Sequence, residues 1–362
     1  MLNRKLIISL FLILILGLEI AVKGGNVTPF LFQVLFNRDI ELKESTPERI
    51  NVLLLGIGGP SHEGPNLTDT IILASLNLKD PKITLISLPR DIWSTDIKGK
   101  INKAYANGEE AKKRGGLILA KSVVGKITGQ KIDYGVVIDF SGFVKAVDLM
   151  GGLDINIDKT FDDYEYPITG QEDNPCGNKE EDLEKLATAS SQLEVFPCRY
   201  EQLHFDKGLN HMDGTTALKF VRSRHAKGSE GSDFARSQRQ EKVIKAFMEK
   251  TFSLQILVNP TKIIGLYDTV KDSVDTDIAQ NEFDDFIKLA QKFQNAKVES
   301  VVIDYGDQKN ERGGLLTHPQ ISERQNFEWV LIPRIGENNF SEVQEYIRCR
   351  FTQKECIVSQ IP

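Results

Sequence analysis

Short, nearly continuous apolar runs alternate with amphipathic stretches over most of this chain. Residues 51–56, 70–76 and 83–88 are each β-branched and apolar almost throughout, which predicts strands buried on both faces. A helical pattern covers about 103–127, and residues 132–138 return to strand. Over 140–150, Phe140, Phe143, Val144 and Val147 fall on one face of a predicted helix, which Gly151 and Gly152 end. Residues 153–157 read as strand, helices dominate from Asp213 to about Phe293, strands follow at 298–303 and 329–332, and a helix at 340–351 closes the chain. This alternation predicts a layered α/β domain. Residues 160–200 break the pattern: they are polar, acidic and rich in turns, and read as a surface insertion.

Composition changes this picture in three places. With 40% hydrophobic and 27% charged residues the chain is ordinary for a globular protein, and its formal net charge of -6 argues against bulk attraction to nucleic acid. Any anion site must therefore be a local cluster. At the N-terminus, Arg4 and Lys5 precede an apolar run over 6–22 that only Glu19 interrupts. Such a run spans roughly 26 Å as a helix, lacks small residues placed for signal cleavage, and predicts an uncleaved transmembrane anchor. The basic flank keeps residues 1–5 in the cytoplasm, makes 23–49 a linker and puts the rest outside, as a single-pass protein with an extracytoplasmic domain. The four cysteines, Cys176, Cys198, Cys349 and Cys356, lack zinc-ligand spacing. Outside the cell they favour two local disulfides, although more than one connectivity is open to them.

The chemistry concentrates in two segments and a loop. Phe220 to His225 carries Arg222 and Arg224, two residues apart; they point together only if the chain leaves the helix there. Asp213 is placed to cap that helix. After a loop containing Gly228 and Gly231, Arg236, Arg239 and Gln240 share a helix face at i, i+3 and i+4, leading into the apolar Val243, Ile244 and Phe247. Guanidinium groups converging in this way hold phosphate by paired, directional hydrogen bonds. In the second segment Asp69 precedes one predicted strand, and Arg90 and Asp91 follow the next. If those strands are antiparallel neighbours, the three groups meet at one sheet edge, either as a magnesium site or as a cap and a structural ion pair. The glycine-rich loop after residue 56 lacks nucleotide-loop spacing.

Taken together, LTDT, SLPRDIW, KINKAYANG, DFSGFVKAVDLMGGLDI, HMDGTTALKFVRSRH and DFARSQRQEKVI resemble, in order and spacing, the LytR-CpsA-Psr family of cell-envelope proteins over roughly residues 50–250. The resemblance implies a three-layer αβα domain with a central mixed sheet over 50–255, interrupted by the polar insertion 160–200. It leaves 256–362 as a helical and small α/β extension. It implies a phosphotransferase that moves a glycopolymer, such as a teichoic acid or capsular polysaccharide, from a polyprenyl-pyrophosphate carrier to peptidoglycan, with magnesium assisting. By that resemblance Arg90, Arg222, Arg224 and Arg236 bind phosphate, with Gln240 beside them and Lys100 and Arg239 inside matching motifs; Asp91 is the acidic half of an Arg-Asp pair and Asp69 a metal carboxylate. Gly58 departs from the family pattern, which often has an aspartate there, and His62 or Glu63 is the nearest replacement. A non-catalytic binder of polyprenyl phosphate and a lipid pyrophosphatase are the alternatives.

Overall fold

The computed structural model describes residues 40–60, 62, 64–179, 191–251, 272–293, 295–306, 313–352 and 356. The apolar run 6–22 lies outside these residues, and no described helix is long and apolar enough to cross a membrane. Residues 43–277 and 294–362 fall in one compact unit. The described part of the other is mainly helix α6 (Phe283–Phe293), in which Lys288 meets Asp285 at 2.8 Å.

Three apolar runs build the centre of a six-stranded sheet: β1 (Arg49–Ile57), β2 (Thr68–Asn77) and β3 (Lys82–Ser87). They pair antiparallel in sequence, β1 with β2 and β2 with β3. β6 (Tyr134–Asp139) adds in parallel to β1, and β12 (Lys297–Val302) in parallel to β3. β11 (Val274–Thr276) pairs antiparallel with β6, so the order is β11-β6-β1-β2-β3-β12 and the sheet is mixed. Both edges come from beyond residue 255, in the stretch expected to be an extension. The linker also ends earlier than expected, because Lys43 N donates to Tyr134 Oη at 2.7 Å and Ser45 N to Asp133 Oδ1 at 2.8 Å.

Side-chain alternation along the strands sends Leu53, Leu55, Ile71, Leu73 and Ile86 to one face. There they pack against α1 (Ala104–Ala111), α2 (Gly116–Thr128) and α7 (Ser341–Thr352). The single helix expected over 103–127 is two. The chain breaks at Arg114, which has φ 62°, and α1 and α2 then approach so closely that a Cβ on Gly115 would lie 2.3 Å from the Gly108 carbonyl oxygen. The expected strand at 329–332 shrinks to β14 (Ile332–Pro333), paired with β13 (Leu316–Thr317).

A second apolar cluster joins α3 (Phe140–Leu149), β7 (Leu153–Ile157), β8 (Phe161–Pro167), β9 (Tyr200–Phe205), α4 (Gly214–Arg222) and α5 (Asp233–Thr251). β8 opens the stretch expected to be surface insertion, yet it pairs antiparallel with β9, with its register shifted between Asp163 and Tyr166. Both local disulfides form: Cys176–Cys198, with Cα atoms 5.5 Å apart, and Cys349–Cys356, at 6.0 Å.

Candidate functional site

The antiparallel pairing of β2 with β3 carries the start of one strand to the end of the other. Asp69 therefore meets Arg90, and the two form an ion pair. Arg90 Nε lies 3.6 Å from Asp91 Oδ2, and that nitrogen is buried without a hydrogen-bond partner among the described residues. Asp91 turns to Lys100 at 2.9 Å, and Lys100 also reaches Glu328 at 3.7 Å, while Lys103 holds Glu328 at 2.7 Å. Lys100 and Asp91 are thus parts of an ion-pair chain behind the sheet edge.

The opposite wall is a turn. Asp213 caps α4 by accepting from Thr216 N at 2.7 Å, and the helix ends on Arg222. Ser223 has left helical geometry (φ -52°, ψ 129°), so Arg222 and Arg224 reach the same cavity. Asp163 of β8 holds this turn. Its fully buried Oδ2 accepts from Ser223 Oγ at 2.7 Å, Arg224 N at 3.0 Å and His225 N at 3.1 Å. Arg222 lies over the Phe140 ring, Cζ 4.5 Å from its centroid, and makes a long hydrogen bond of 3.4 Å to Tyr166 Oη. Burial pushes the Tyr166 phenol above its usual value, more than Arg222 pulls it down.

Between the walls lies a cavity of about 240 Å³ lined by Asp69, Arg90, Arg222, Arg224, Arg236 and Gln240, together with Phe140, Asp163, Tyr166 and His225 among others. A narrower crevice continues from it past Ile71, Leu88, Phe234 and Val302. Arg236 and Gln240 stand one turn apart on α5. Arg239, one position short of Gln240, is rotated away from the cavity. Its Nε donates to Phe220 O at 3.1 Å, one Nη to Ser223 O at 2.6 Å and the other to Glu230 O at 2.8 Å. Desolvation brings this guanidinium down to about 10, still protonated at neutral pH. Arg239 braces the turn from beneath and does not line the cavity. Asp163 and Tyr166 do line it and have no role in the sequence reading, and Phe140, expected there only as part of an apolar helix face, lines it too. For Asp163 the one available signal is an aspartate at an inward-facing strand position.

Position 58 has no room for the aspartate expected there: a Cβ on Gly58 would lie 2.7 Å from His62 Cβ. The His62 ring stands edge-on to Phe140 with centroids 5.3 Å apart. Burial and then Arg222 lower its imidazole below the usual histidine value, against opposing pulls from Asp69 and Glu172. A magnesium ion needs several hard oxygen ligands. Asp69 is engaged by Arg90, Gly58 supplies none, and no group of three or more His, Cys, Asp or Glu side chains converges on a metal position among the described residues. Glu63, the other replacement considered for Gly58, lies outside the described residues, and among the described residues Asp69 is the carboxylate that a magnesium ion bridging to donor phosphates would meet beside Arg90.

The model of the LytR_cpsA_psr family matches residues 33–326. The chain belongs to the LytR_cpsA_psr family. Among curated family relatives, the polyisoprenyl-teichoic acid--peptidoglycan teichoic acid transferase TagU of Bacillus cereus is 27% identical over 68% of this chain and 66% of its own. The protein of the same name from Enterococcus faecalis is 29% identical over 69% of this chain and 67% of its own. The match thus spans about two thirds of the length of these relatives. The crystal structure of B. subtilis TagV shares the fold, with a TM-score of 0.54, 21% identity, and coverage of 86% of this chain and all of that one.

Proposed function

We propose that this LytR_cpsA_psr protein transfers a glycopolymer from a polyprenyl-pyrophosphate carrier to peptidoglycan, from an anchor at residues 6–22 that places the domain on the outer face of the membrane. The observation that carries the reading is the cavity itself. It draws arginines from three separate elements around one volume, and the buried Nε of Arg90 still lacks a hydrogen-bond acceptor. A pyrophosphate offers acceptor oxygens to each of them. Ile71, Leu88, Phe234 and Val302, on a narrow crevice of about 20 Å³ beside that charge, are apolar neighbours for the start of the carrier's hydrocarbon chain. The relatives' name, a transferase from polyisoprenyl-teichoic acid to peptidoglycan, supports this donor and acceptor class.

In the reaction, an acceptor hydroxyl attacks the sugar-linked phosphorus and polyprenyl phosphate leaves. Arg222, Arg224, Arg236 and Arg90 stabilise the charge that builds on the leaving phosphate, at donors positioned before the reaction begins. Magnesium would add charge neutralisation through donor oxygens, and no step here depends on it. The test is reconstituted transfer by the full chain in detergent, with a synthetic lipid-pyrophosphate glycan as donor. Arg222→Ala lowers turnover by about 100-fold or more. Full activity in both Arg222→Ala and Arg224→Ala overturns the assignment. A product ending in free phosphate marks a pyrophosphatase, and donor bound without turnover marks a carrier-binding protein.

A further inference from the structure

Transfer to a hydroxyl requires a group that takes its proton, and the cavity narrows the choice to one side chain. Its arginines are protonated at neutral pH, and Gln240 is not basic. Asp69 is engaged by Arg90. Asp163 is fully buried, with Oδ2 accepting three hydrogen bonds and Oδ1 a fourth from Glu165 N at 3.0 Å. Tyr166 keeps its proton, since burial raises its phenol. His62 is packed beside Gly58 and edge-on to Phe140 and is not among the residues that line the cavity. His225 lines the cavity, is exposed, and its ring makes no hydrogen bond among the described residues. Its backbone N–H is clamped by Asp163 at 3.1 Å, so the imidazole starts from a fixed point directly after the arginine pair.

We propose that His225 is the general base of the transfer, a catalytic residue that meets the acceptor hydroxyl at the mouth of the arginine cavity. The assignment rests on the transfer reading above. As the acceptor oxygen forms its bond to the sugar-linked phosphorus, an imidazole nitrogen of His225 takes the hydroxyl proton. The bond from that phosphorus to the bridging oxygen breaks, and polyprenyl phosphate leaves with the electron pair. The exposed imidazolium then passes its proton to water. Histidine suits the step because its neutral ring accepts a proton near physiological pH. The charged and titratable groups facing it are Asp163 and Tyr166 from β8, Arg222 and Arg224 from the turn, Arg236 from α5, and Asp69 and Arg90 from the sheet edge.

The test compares the unaltered full chain with His225→Gln and His225→Ala in the reconstituted transfer assay across pH. The substitutions fall on an exposed side chain, so thermal melts should match. The expected result is a kcat about 100-fold lower in His225→Gln with the donor KM unchanged, and loss of the acidic limb of the pH–rate profile. Added imidazole should restore part of the rate to His225→Ala. A His225→Gln protein that keeps its kcat within about threefold, or that keeps the acidic limb, overturns the base assignment while leaving the transfer reading standing. No turnover by the unaltered chain overturns the transfer reading, and the base assignment with it.

Discussion

The two walls of the cavity hold their cations by different means. At the sheet edge, Arg90 is paired with Asp69 and backed by Asp91, so its charge is largely answered within the protein. At the turn, Arg222 rests on the Phe140 ring and Tyr166 and has no carboxylate ion-pair partner among the described residues. The carboxylate nearest the turn, Asp163, spends itself on a hydroxyl and backbone N–H groups, and Arg239 spends its donors on carbonyls. One wall places a cation by neutralising it. The other fixes the backbone on either side of Ser223, and there Arg222 meets an aromatic ring and a phenol in place of a carboxylate among the described residues. An arginine over an aromatic face keeps its in-plane N–H donors pointing outward.

The largest expected effect comes from attacking the second device. Asp163→Asn turns one acceptor oxygen into a donor amid three N–H and O–H groups at a fully buried position, and should cost about 3 kcal/mol of stability. Thermal and denaturant unfolding will show the loss, and lipid-pyrophosphate binding should fall with it. An Asp163→Asn protein of normal stability would mean that the turn holds itself. Next in size is Asp69→Asn, which releases Arg90. Donor affinity, measured by titration, should rise about threefold, in line with the small worth of a partly exposed ion pair. A fall in affinity that magnesium removal reproduces in the unaltered protein would instead make Asp69 a cation ligand.

The smallest effect lies at the sheet's end, where Glu241 of α5 is buried and accepts from Ser87 Oγ at 3.1 Å. Burial raises its carboxyl above the usual glutamate value of 4.5. The folded state therefore binds this proton more tightly than the unfolded one, and stability falls as pH climbs through the window above 4.5. Glu241→Gln should melt a few degrees higher at neutral pH and match the unaltered protein in acid. Equal melting at both pH values would show that the Ser87 hydrogen bond already offsets the burial.

Legibility followed the range of the interactions. β1, β2 and β3 announce themselves because strands buried on both faces need unbroken apolar runs, and the Asp213 cap and the exit after Arg222 are local events. The meeting of Asp69 with Arg90 needed only the antiparallel pairing of neighbours in sequence. Asp163 was hidden because its partners lie some 60 residues away, at a shifted register in a hairpin whose other strand follows a long polar stretch. Arg239 misled because i+3 and i+4 on a helix differ by a rotation that no sequence spacing resolves, and here that rotation separates a brace from a ligand group. The strand expected at 298–303 is β12, but its place at the edge of the sheet, and the whole of β11, stay hidden for the same reason of distance.

Those edges also govern how the chain comes together. Lys82 of β3 pairs with Lys297 of β12, a parallel contact that closes a loop of most of the chain. Such a contact costs loop-closure entropy before it returns any stabilisation, and parallel pairings of this span form late and slowly. β3 must wait with its outer hydrogen-bonding edge bare until β12, which starts at Lys297, is available to pair with it. An unpaired edge invites pairing with other chains. Assembly of this fold is thus most vulnerable to aggregation in the interval between the pairing of β2 with β3 and the docking of β12.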